Sequence, residues 1–299
     1  MENGAQHQLR IEEETLSTTV SAVNSIRDSE LRNTPKTPEK PDYKKARTPY
    51  KLPVPGFLYR LTLRVFSFLA RKLFRYRLTG VENIPKNGGA ILACNHVSYL
   101  DMGFICPLVE KTRYIYTLAK AELYSNRIVA WIMRKWCVLP IKRGCRDAEG
   151  FCAALECLKS GNLLFMFPEG TNVEEKKRFH TGVARMAIET RSPVVPIATS
   201  GLERFPGWQH IIPLLGATIN VRCGKALTPP EIPGDTPEAE RLRIIKEFTF
   251  RIFGEIEILK DVPNQQTLKK IRAELEELKL QKESKQELNA QEVPKLMVD

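Results

Sequence analysis

The sequence is poor in side chains that bind metal ions. Its seven cysteines form no Cys-x-x-Cys pair and no cluster with histidine at the spacing of a metal site, and only four histidines occur in 299 residues. Because the cysteines are odd in number and lie mostly in apolar or helical contexts, they predict reduced thiols in a cytosolic compartment. We therefore expect no bound metal ion.

Long apolar runs are also missing. The first thirty residues lack the basic start and apolar stretch of a secretory signal. The most apolar window, from Phe205 to Val221, is interrupted by prolines and polar residues, so we expect a chain that does not cross a membrane. A Gly-x-Ser-x-Gly motif is absent as well, which disfavours a hydrolase with a nucleophilic serine.

Acidic residues are absent from residues 51–80, which hold seven of the basic residues behind a net charge of +11. Such a patch predicts an anionic partner. Within it, 57–74 predicts an amphipathic helix. The predicted apolar side consists of Leu58, Leu61, Val65, Phe68, Leu69 and Leu73, with Phe57 and Phe66 beside them. The opposite stripe consists of Arg60, Arg64, Ser67, Arg71 and Arg75.

This helix has two interpretations. It is either a surface helix whose apolar side packs on the core, or an interfacial helix that lies on an anionic lipid surface. The acid-free polar side and the excess of Phe and Leu favour the lipid surface. Nucleic acid is not expected as a partner, because no helix-turn-helix, zinc-finger or RNA-binding signature accompanies the patch.

The composition divides the chain into four segments. Residues 1–50 predict a disordered arm, 51–79 a basic amphipathic membrane-associating helix, 80–260 a folded domain, and 261–299 a charged helical or disordered tail. Between 80 and 260, apolar runs alternate with helical patterns, which predicts an α/β fold with a mostly parallel central sheet flanked by helices. The predicted strands are 90–94, 114–118, 138–141, 163–167, 194–199 and 218–223; the predicted helices are 102–109, 127–135, 147–159, 182–190 and 237–260.

The segment from Asn95 to Asp101 places an imidazole and a carboxylate five residues apart, directly after a predicted strand. In α/β folds, ligands bind outside the carboxyl ends of the strands. There Asp101 can fix the tautomer of His96 while the other ring nitrogen faces a substrate, as a general base requires. A structural role is the alternative, and the pair alone does not decide between them.

Two further strand ends carry polar groups. Residues 163–167 lead into Pro168-Glu169-Gly170-Thr171, where neighbouring amides and a hydroxyl can hold an oxyanion. Residues 138–141 lead into Lys142 and Arg143, and Arg143 can bind a phosphate with two hydrogen bonds. Taken singly, each segment is equally compatible with an exposed turn and solvated cations.

Together, in this order and spacing, the segments resemble the glycerolipid acyltransferase family, and more narrowly the 1-acylglycerol-3-phosphate acyltransferases of bacterial type. The resemblance includes Val194 to Ala198 and Ala119 to Leu123, and it extends over about residues 76–225. It implies that His96 is the general base and that Asp101 orients it. It implies these substrate-binding residues: Lys120, Lys142, Arg143, Glu169, Gly170 and Thr171. Asn95 and Ser98 are expected to shape the turn.

The resemblance also implies the reaction. A hydroxyl of 1-acylglycerol 3-phosphate would attack acyl-CoA or acyl-carrier protein, with no further cofactor, and phosphatidic acid would form. The partners would be a lipid surface, a lysophospholipid and the acyl donor, and the enzyme would be peripheral or monotopic on the cytoplasmic side of a membrane. The alternatives are another lysophospholipid or alcohol as acceptor, and a non-catalytic membrane-binding member of the fold.

Two positions depart from the family pattern. Asn172 stands where the family usually has an arginine that contacts the acceptor phosphate, and His180 stands where it often has a lysine. Lys176, Lys177 and Arg178 follow closely and can supply the missing charge. Both departures leave the base and its carboxylate in place, so they bear on the acceptor and not on the chemistry of transfer.

Overall fold

The computed structural model describes residues 51–98, 100–108, 113–142, 148–170, 179–203 and 215–292. The predicted arm, residues 1–50, lies outside the described residues. So do Arg143 and Thr171 among the predicted site residues, and the departing residue Asn172 with the cations that follow it.

Seven strands form one sheet in the order β1-β7-β6-β2-β5-β3-β4. They are β1 (Arg75–Thr79), β2 (Ala90–Cys94), β3 (Ile115–Lys120), β4 (Val138–Ile141), β5 (Leu163–Met166), β6 (Val194–Ser200) and β7 (Thr218–Cys223). The helices are α1 (Phe57–Leu73), α2 (Asp101–Ile105), α3 (Arg127–Lys135), α4 (Ala148–Lys159), α5 (Gly182–Thr190), α6 (Glu238–Leu259) and α7 (Gln265–Glu292). Short 3-10 turns cover Val81–Asn83, Cys106–Leu108 and Ala121–Ser125.

The predicted α/β class with a mostly parallel sheet is confirmed. Every pairing is parallel except the one between β6 and β7. Strand β1 was not predicted, because its alternating residues (Arg75-Tyr76-Arg77) continue the basic pattern of the preceding helix. It is an edge strand that pairs only with β7, so it needs no continuous apolar run.

Alternate side chains of the central strand β2 enter two separate apolar cores. Ile91 and Ala93 pack with residues of α4, α5 and α6, and we call this side the α5 face. Leu92 and Cys94 pack with Ala70 of α1 and with residues of α2 on the other side, which we call the α1 face. Tyr59 and Leu63 in the first half of α1 belong to the first core. Burial on both sides explains why the central strands are continuous apolar runs.

Helix α1 packs on the domain through a side that the sequence did not predict. Its buried residues are Tyr59, Leu63, Ser67 and Ala70. Its predicted apolar residues are instead 36–79% exposed: Phe57, Leu58, Leu61, Val65, Phe66, Phe68, Leu69 and Leu73. The interpretation in which that apolar side packs on the core is therefore wrong, and so is the placing of Ser67 on the polar stripe.

The C-terminal helix α7 lies against α6. Ile271 and Leu278 are buried in a small core with Phe250 and Phe253 of α6. Ile271, Leu275 and Leu278, which recur every three or four residues, therefore pack within the chain. None of the helices in the described ranges is both long and apolar enough to span a membrane.

Candidate active site

The carboxyl ends of three neighbouring strands form the candidate site. Strand β2 lies between β6 and β5, and all three run parallel. His96 follows β2, Glu169 follows β5, and Thr199 lies at the end of β6. Ligands bind at this edge in open α/β sheets, and here the sheet itself brings together residues that are 73 to 104 positions apart.

His96 and Asp101 form the pair predicted from the sequence. The Nδ1 atom of His96 lies 2.8 Å from Oδ2 of Asp101. The Asp101 side chain is fully buried, while the His96 side chain keeps 14% of its exposure. Because a carboxylate accepts hydrogen bonds, it fixes the tautomer with the proton on Nδ1, and the lone pair that can take a proton is then on Nε2.

The buried carboxylate of Asp101 is compensated by several donors. Its Oδ2 also accepts from the backbone N–H groups of Val97 at 2.9 Å and Ser98 at 3.0 Å. Its Oδ1 lies 3.4 Å from the hydroxyl of Thr199. Since an isolated buried charge is costly, these contacts explain how the ionised form is tolerated without exposure. The carboxylate therefore organises the turn as well as the imidazole.

Asn95 and Ser98, the predicted turn residues, are both fully buried. The side-chain amide of Asn95 donates to the carbonyl of Thr199 at 3.0 Å and accepts from its N–H at 2.8 Å, which ties β2 to β6. The hydroxyl of Ser98 accepts from the N–H of Leu100 at 3.1 Å. These contacts hold both ends of the segment that carries His96.

Two residues after β5 fix the imidazole from the other side. The rings of Phe167 and His96 are stacked, with centroids 3.9 Å apart and planes inclined by 14°. The Oε2 atom of Glu169 accepts from the backbone N–H of His96 at 3.1 Å. Glu169 is buried, and this contact makes it a positioning group for the base. The predicted role of Glu169 in acceptor binding stays a prediction.

Gly170 brings the β5 turn against His180. Its φ of +73° lies in the left-handed region that favours glycine. A Cβ atom at this position would lie 3.1 Å from Nε2 of His180. The second departure from the family pattern is thus adjacent to the predicted acceptor turn, and a Cβ at Gly170 would require the His180 ring to shift by a few tenths of an ångström.

Cys94 lies beneath the site and is not a nucleophile. Burial raises the pKa of its thiol well above the usual value, and the nearby carboxylates of Asp101 and Glu169 raise it further. The thiol therefore stays protonated, and its Sγ lies 3.6 Å from Oδ1 of Asn95, where it is a weak donor. The Asp101 carboxylate that contacts the imidazole thus also disfavours ionisation of the Cys94 thiol.

The predicted lysines are more distant. Lys120 ends β3 and Lys142 follows β4, and both are exposed at the same sheet edge as His96. With strands spaced about 4.8 Å apart, β3 lies about 10 Å and β4 about 14 Å from β2. Only Lys120 is thus placed within the reach of a long side chain from the base, and Lys142 belongs to the periphery.

Sequence reasoning missed three residues of the site: Phe167, Thr199 and His180. Phe167 precedes Pro168 in a predicted motif, but it was assigned to the strand core. Thr199 follows the Val194–Ala198 block directly, and nothing in the sequence places it next to Asp101. His180 was noted only as a missing lysine. Each of them contacts a recognised residue through tertiary structure alone.

The fold and the site thus define an α/β protein with a histidine and a buried carboxylate in contact at the ends of its central strands. Comparison with known proteins shows which family this chain resembles. Residues 75–200 match the family model described as Acyltransferase. A chloroplastic 1-acyl-sn-glycerol-3-phosphate acyltransferase of Arabidopsis thaliana is 28% identical over 198 residues, which cover 60% of this chain and 53% of that protein.

The 1-acyl-sn-glycerol-3-phosphate acyltransferase of Bacillus subtilis is 30% identical over 129 residues, which cover 42% of this chain and 64% of the relative. The crystal structure of the 1-acyl-sn-glycerophosphate acyltransferase of Thermotoga maritima aligns with a TM-score of 0.45 and 24% identity, and covers 67% of this chain and 78% of that one. The chain therefore spans between half and two thirds of the length of the Arabidopsis and Bacillus relatives.

The resemblance predicted from the four sequence blocks is confirmed: residues 75–200 match the acyltransferase family model, and curated relatives carry the name 1-acyl-sn-glycerol-3-phosphate acyltransferase. The matched range begins at the first residue of β1 and ends with β6. It therefore includes every residue of the site described above, His180 among them.

Proposed function

We propose that this chain transfers a fatty acyl group from an acyl thioester to the hydroxyl of 1-acylglycerol 3-phosphate and so forms phosphatidic acid. The observation that carries the proposal is the 2.8 Å contact between Nδ1 of His96 and Oδ2 of the buried Asp101. Two relatives that bear the name of this activity support the choice of substrate.

In the proposed reaction, Nε2 of His96 takes the proton from the acceptor hydroxyl. The oxygen attacks the thioester carbonyl, and the carboxylate of Asp101 stabilises the imidazolium that forms. The tetrahedral intermediate then collapses, the C–S bond breaks, and the departing thiolate takes the proton from His96. Acyl-CoA and acyl-carrier protein both carry the thioester that this reaction requires. The thioester is already activated, so the reaction needs no metal ion or organic cofactor.

Purified full-length protein, incubated with acyl-CoA and 1-acylglycerol 3-phosphate, tests the proposal. We expect phosphatidic acid and free CoA in equal amounts, and we expect His96→Ala to lower the rate at least 100-fold, in the range that general base catalysis contributes. A folded His96→Ala variant with unchanged transfer would remove the base from the mechanism.

A second acceptor is favoured by one observation. His180 stands at a position where the family pattern often has a lysine, and it lies against Gly170. A neutral imidazole binds a phosphomonoester less strongly than an ammonium group does. Acceptors with a phosphodiester headgroup are therefore the alternative, and a panel of lysophospholipids in the same assay separates the two by their kcat/KM values.

Helix α1 supports a peripheral position on a membrane, with its exposed apolar side in the lipid interface. Its cations Arg60, Arg64 and Arg71 flank that side, and no acidic residue lies in the helix. The cytoplasmic leaflet is the proposed side, since the acyl donors are cytosolic. Deleting the helix is a poor test, because it removes Tyr59 and Leu63 from the core.

Substitutions on the exposed side of α1 avoid that problem. We expect Leu61→Ser with Phe68→Ser to weaken binding to vesicles that contain phosphatidylglycerol, without loss of folding. Leu280→Ser on α7 is the matched control, because Leu280 is as exposed as Phe68 and belongs to a different surface. Equal vesicle binding by all three proteins would contradict the role of α1.

A further inference from the structure

Helix α3 exposes large apolar side chains. Ile128 is 72% exposed and Trp131 54% exposed, and the only buried residue of the helix is Ala130. Trp136 directly after the helix and Leu123 in the turn before it are exposed as well. A cluster of four such residues is unusual on a surface that meets only water.

The charge around α3 has one sign. Between residues 120 and 142 there are five basic residues and one acidic residue, Glu122. Three of the cations belong to α3 itself, and all are exposed: Arg127, Arg134 and Lys135. Tryptophan beside exposed Arg and Lys is the composition of the membrane–water interface, where the rings sit at the level of the headgroups and the cations meet lipid phosphates.

The right-handed rule for crossover connections places α3 on the α1 face of the sheet. The connection from β4 to β5 crosses the α5 face, because α4 packs there. The connection from β3 to β4 runs across the sheet in the opposite direction, so the same right-handed crossover puts α3 on the α1 face. The hydroxyl of Tyr124 also donates to the carbonyl of Val138 at 2.7 Å, which holds the turn before α3 on β4.

The segment that leads into α1 contacts the residue that follows α3. The Sγ atom of Cys137 lies 3.8 Å from the carbonyl oxygen of Pro53. Val54 and Phe57, just beyond that contact, are 83% and 79% exposed. The segment before α1 and the segment after α3 are therefore linked through Pro53 and Cys137.

We propose that α3 is a second membrane contact, which binds an anionic lipid surface through Ile128, Trp131 and the three cations. The inference rests on the proposed function, because it assumes that the acceptor is taken from a bilayer. One interfacial helix leaves a protein free to rotate about the axis of that helix. A second contact on the same face removes this rotation and fixes the angle at which the edge that carries His96 meets the lipid.

Vesicle binding of the full chain tests the proposal. We use vesicles of phosphatidylcholine with about 30% phosphatidylglycerol, a fraction that supplies a clear anionic surface. From the apolar area that Trp131 exposes, Trp131→Ala should weaken binding between about 10-fold and 100-fold. Ile128→Ser should weaken it less, and Ile258→Ser on α6 should have no effect. Ile258 is the matched control because it is 60% exposed and its helix packs on the opposite face.

The fluorescence of Trp131 tests directly whether this side chain enters the lipid. In the double variant Trp136→Phe, Trp208→Phe, Trp131 is the only tryptophan. We expect vesicles of brominated lipid to quench its emission, whereas iodide in solution should quench it less after vesicles are added. Emission that brominated lipid leaves unchanged would overturn the proposal.

Activity separates this inference from the proposed function. With a short-chain acceptor dispersed as monomers, Trp131→Ala should transfer acyl groups at the rate of the parent, whereas with acceptor in vesicles it should be slower. If the parent shows no transfer but Trp131→Ala still binds vesicles more weakly, the proposed function fails and the membrane contact stands. If Trp131→Ala binds vesicles like the parent, the contact is refuted. If it instead loses transfer from acyl-carrier protein, the surface binds that protein and not lipid.

Discussion

The substitution Asp101→Asn separates the two tasks of the buried carboxylate. In the folded protein Oδ2 accepts from His96, Val97 and Ser98, and Oδ1 has only a 3.4 Å contact with Thr199. An asparagine has the same shape, and its single carbonyl oxygen can take the place of Oδ2 and keep all three donors. We therefore expect the unfolding free energy of Asp101→Asn to stay within about 1 kcal/mol of the parent.

Catalysis should respond differently. When His96 takes a proton, its partner is a carboxylate in the parent and a neutral amide in the variant. Hydrogen bonds to charged groups contribute about 1.5–3 kcal/mol, and full burial of Asp101 leaves little solvent to screen the charge. A loss of about 2–3 kcal/mol in the transition state corresponds to a rate about 30- to 150-fold slower.

The assay follows release of CoA thiol at saturating acceptor, beside a urea unfolding curve for each protein. Asp101→Ala is the comparison, because it removes the acceptor for the N–H groups of Val97 and Ser98 and should lower the unfolding free energy by about 2 kcal/mol or more. A kcat for Asp101→Asn within threefold of the parent would refute the reasoning. Equal destabilisation by both substitutions would refute the separation of the two tasks.

Three further predictions concern stability. Ser67 is fully buried and its hydroxyl has no hydrogen-bond partner among the described residues, so Ser67→Ala should raise the unfolding free energy by about 1 kcal/mol; a lower urea midpoint would contradict this. Gly170→Ala should cost about 1 kcal/mol in left-handed backbone strain and should displace His180 as well. Gly88→Ala is the control that measures the strain alone, because Gly88 has a φ of +75° and open space for a Cβ. Equal losses of stability and activity in the two variants would exclude the contact with His180. Burial raises the pKa of the Cys137 thiol from 9.0 to about 12, so as the pH rises the thiol loses its proton in the unfolded chain before it does so in the folded protein. The contribution of this thiol to stability is therefore complete below pH 9 and should fall as the pH rises from 9 towards 12. A urea midpoint that rises over this range would contradict the prediction.

Much of the fold follows from local sequence patterns. The β2 and β5 runs are apolar at every position because both of their sides are covered, and the termini of α3 and α5 were predicted to the residue. The spacing of His96 and Asp101 also determines their contact, since they lie five positions apart and Asp101 begins α2. Such features need only the periodicity of a helix or strand and a few neighbouring positions.

The burial of α1 shows where local patterns fail. Its sequence contains an apolar stripe and a basic stripe, and amphipathicity alone does not decide whether the apolar stripe faces the core or a lipid surface. The protein buries Tyr59, Leu63 and Ala70 instead and leaves that stripe exposed. Which side of a helix is covered depends on which surface lies beneath it, and that surface here includes α2 and the 3-10 turn that follows it.

The sequence by itself determined the α/β class, the resemblance to the acyltransferases and the pairing of His96 with Asp101. Tertiary structure alone decided which groups surround them: Asn95 and Thr199 are 104 residues apart, and Glu169 contacts the backbone of His96 across 73 residues. The physical reason is that hydrogen bonds and ring stacking act over a few ångströms, so they depend on strand order. The order β6-β2-β5 arises from crossovers of the whole chain, which no local pattern records.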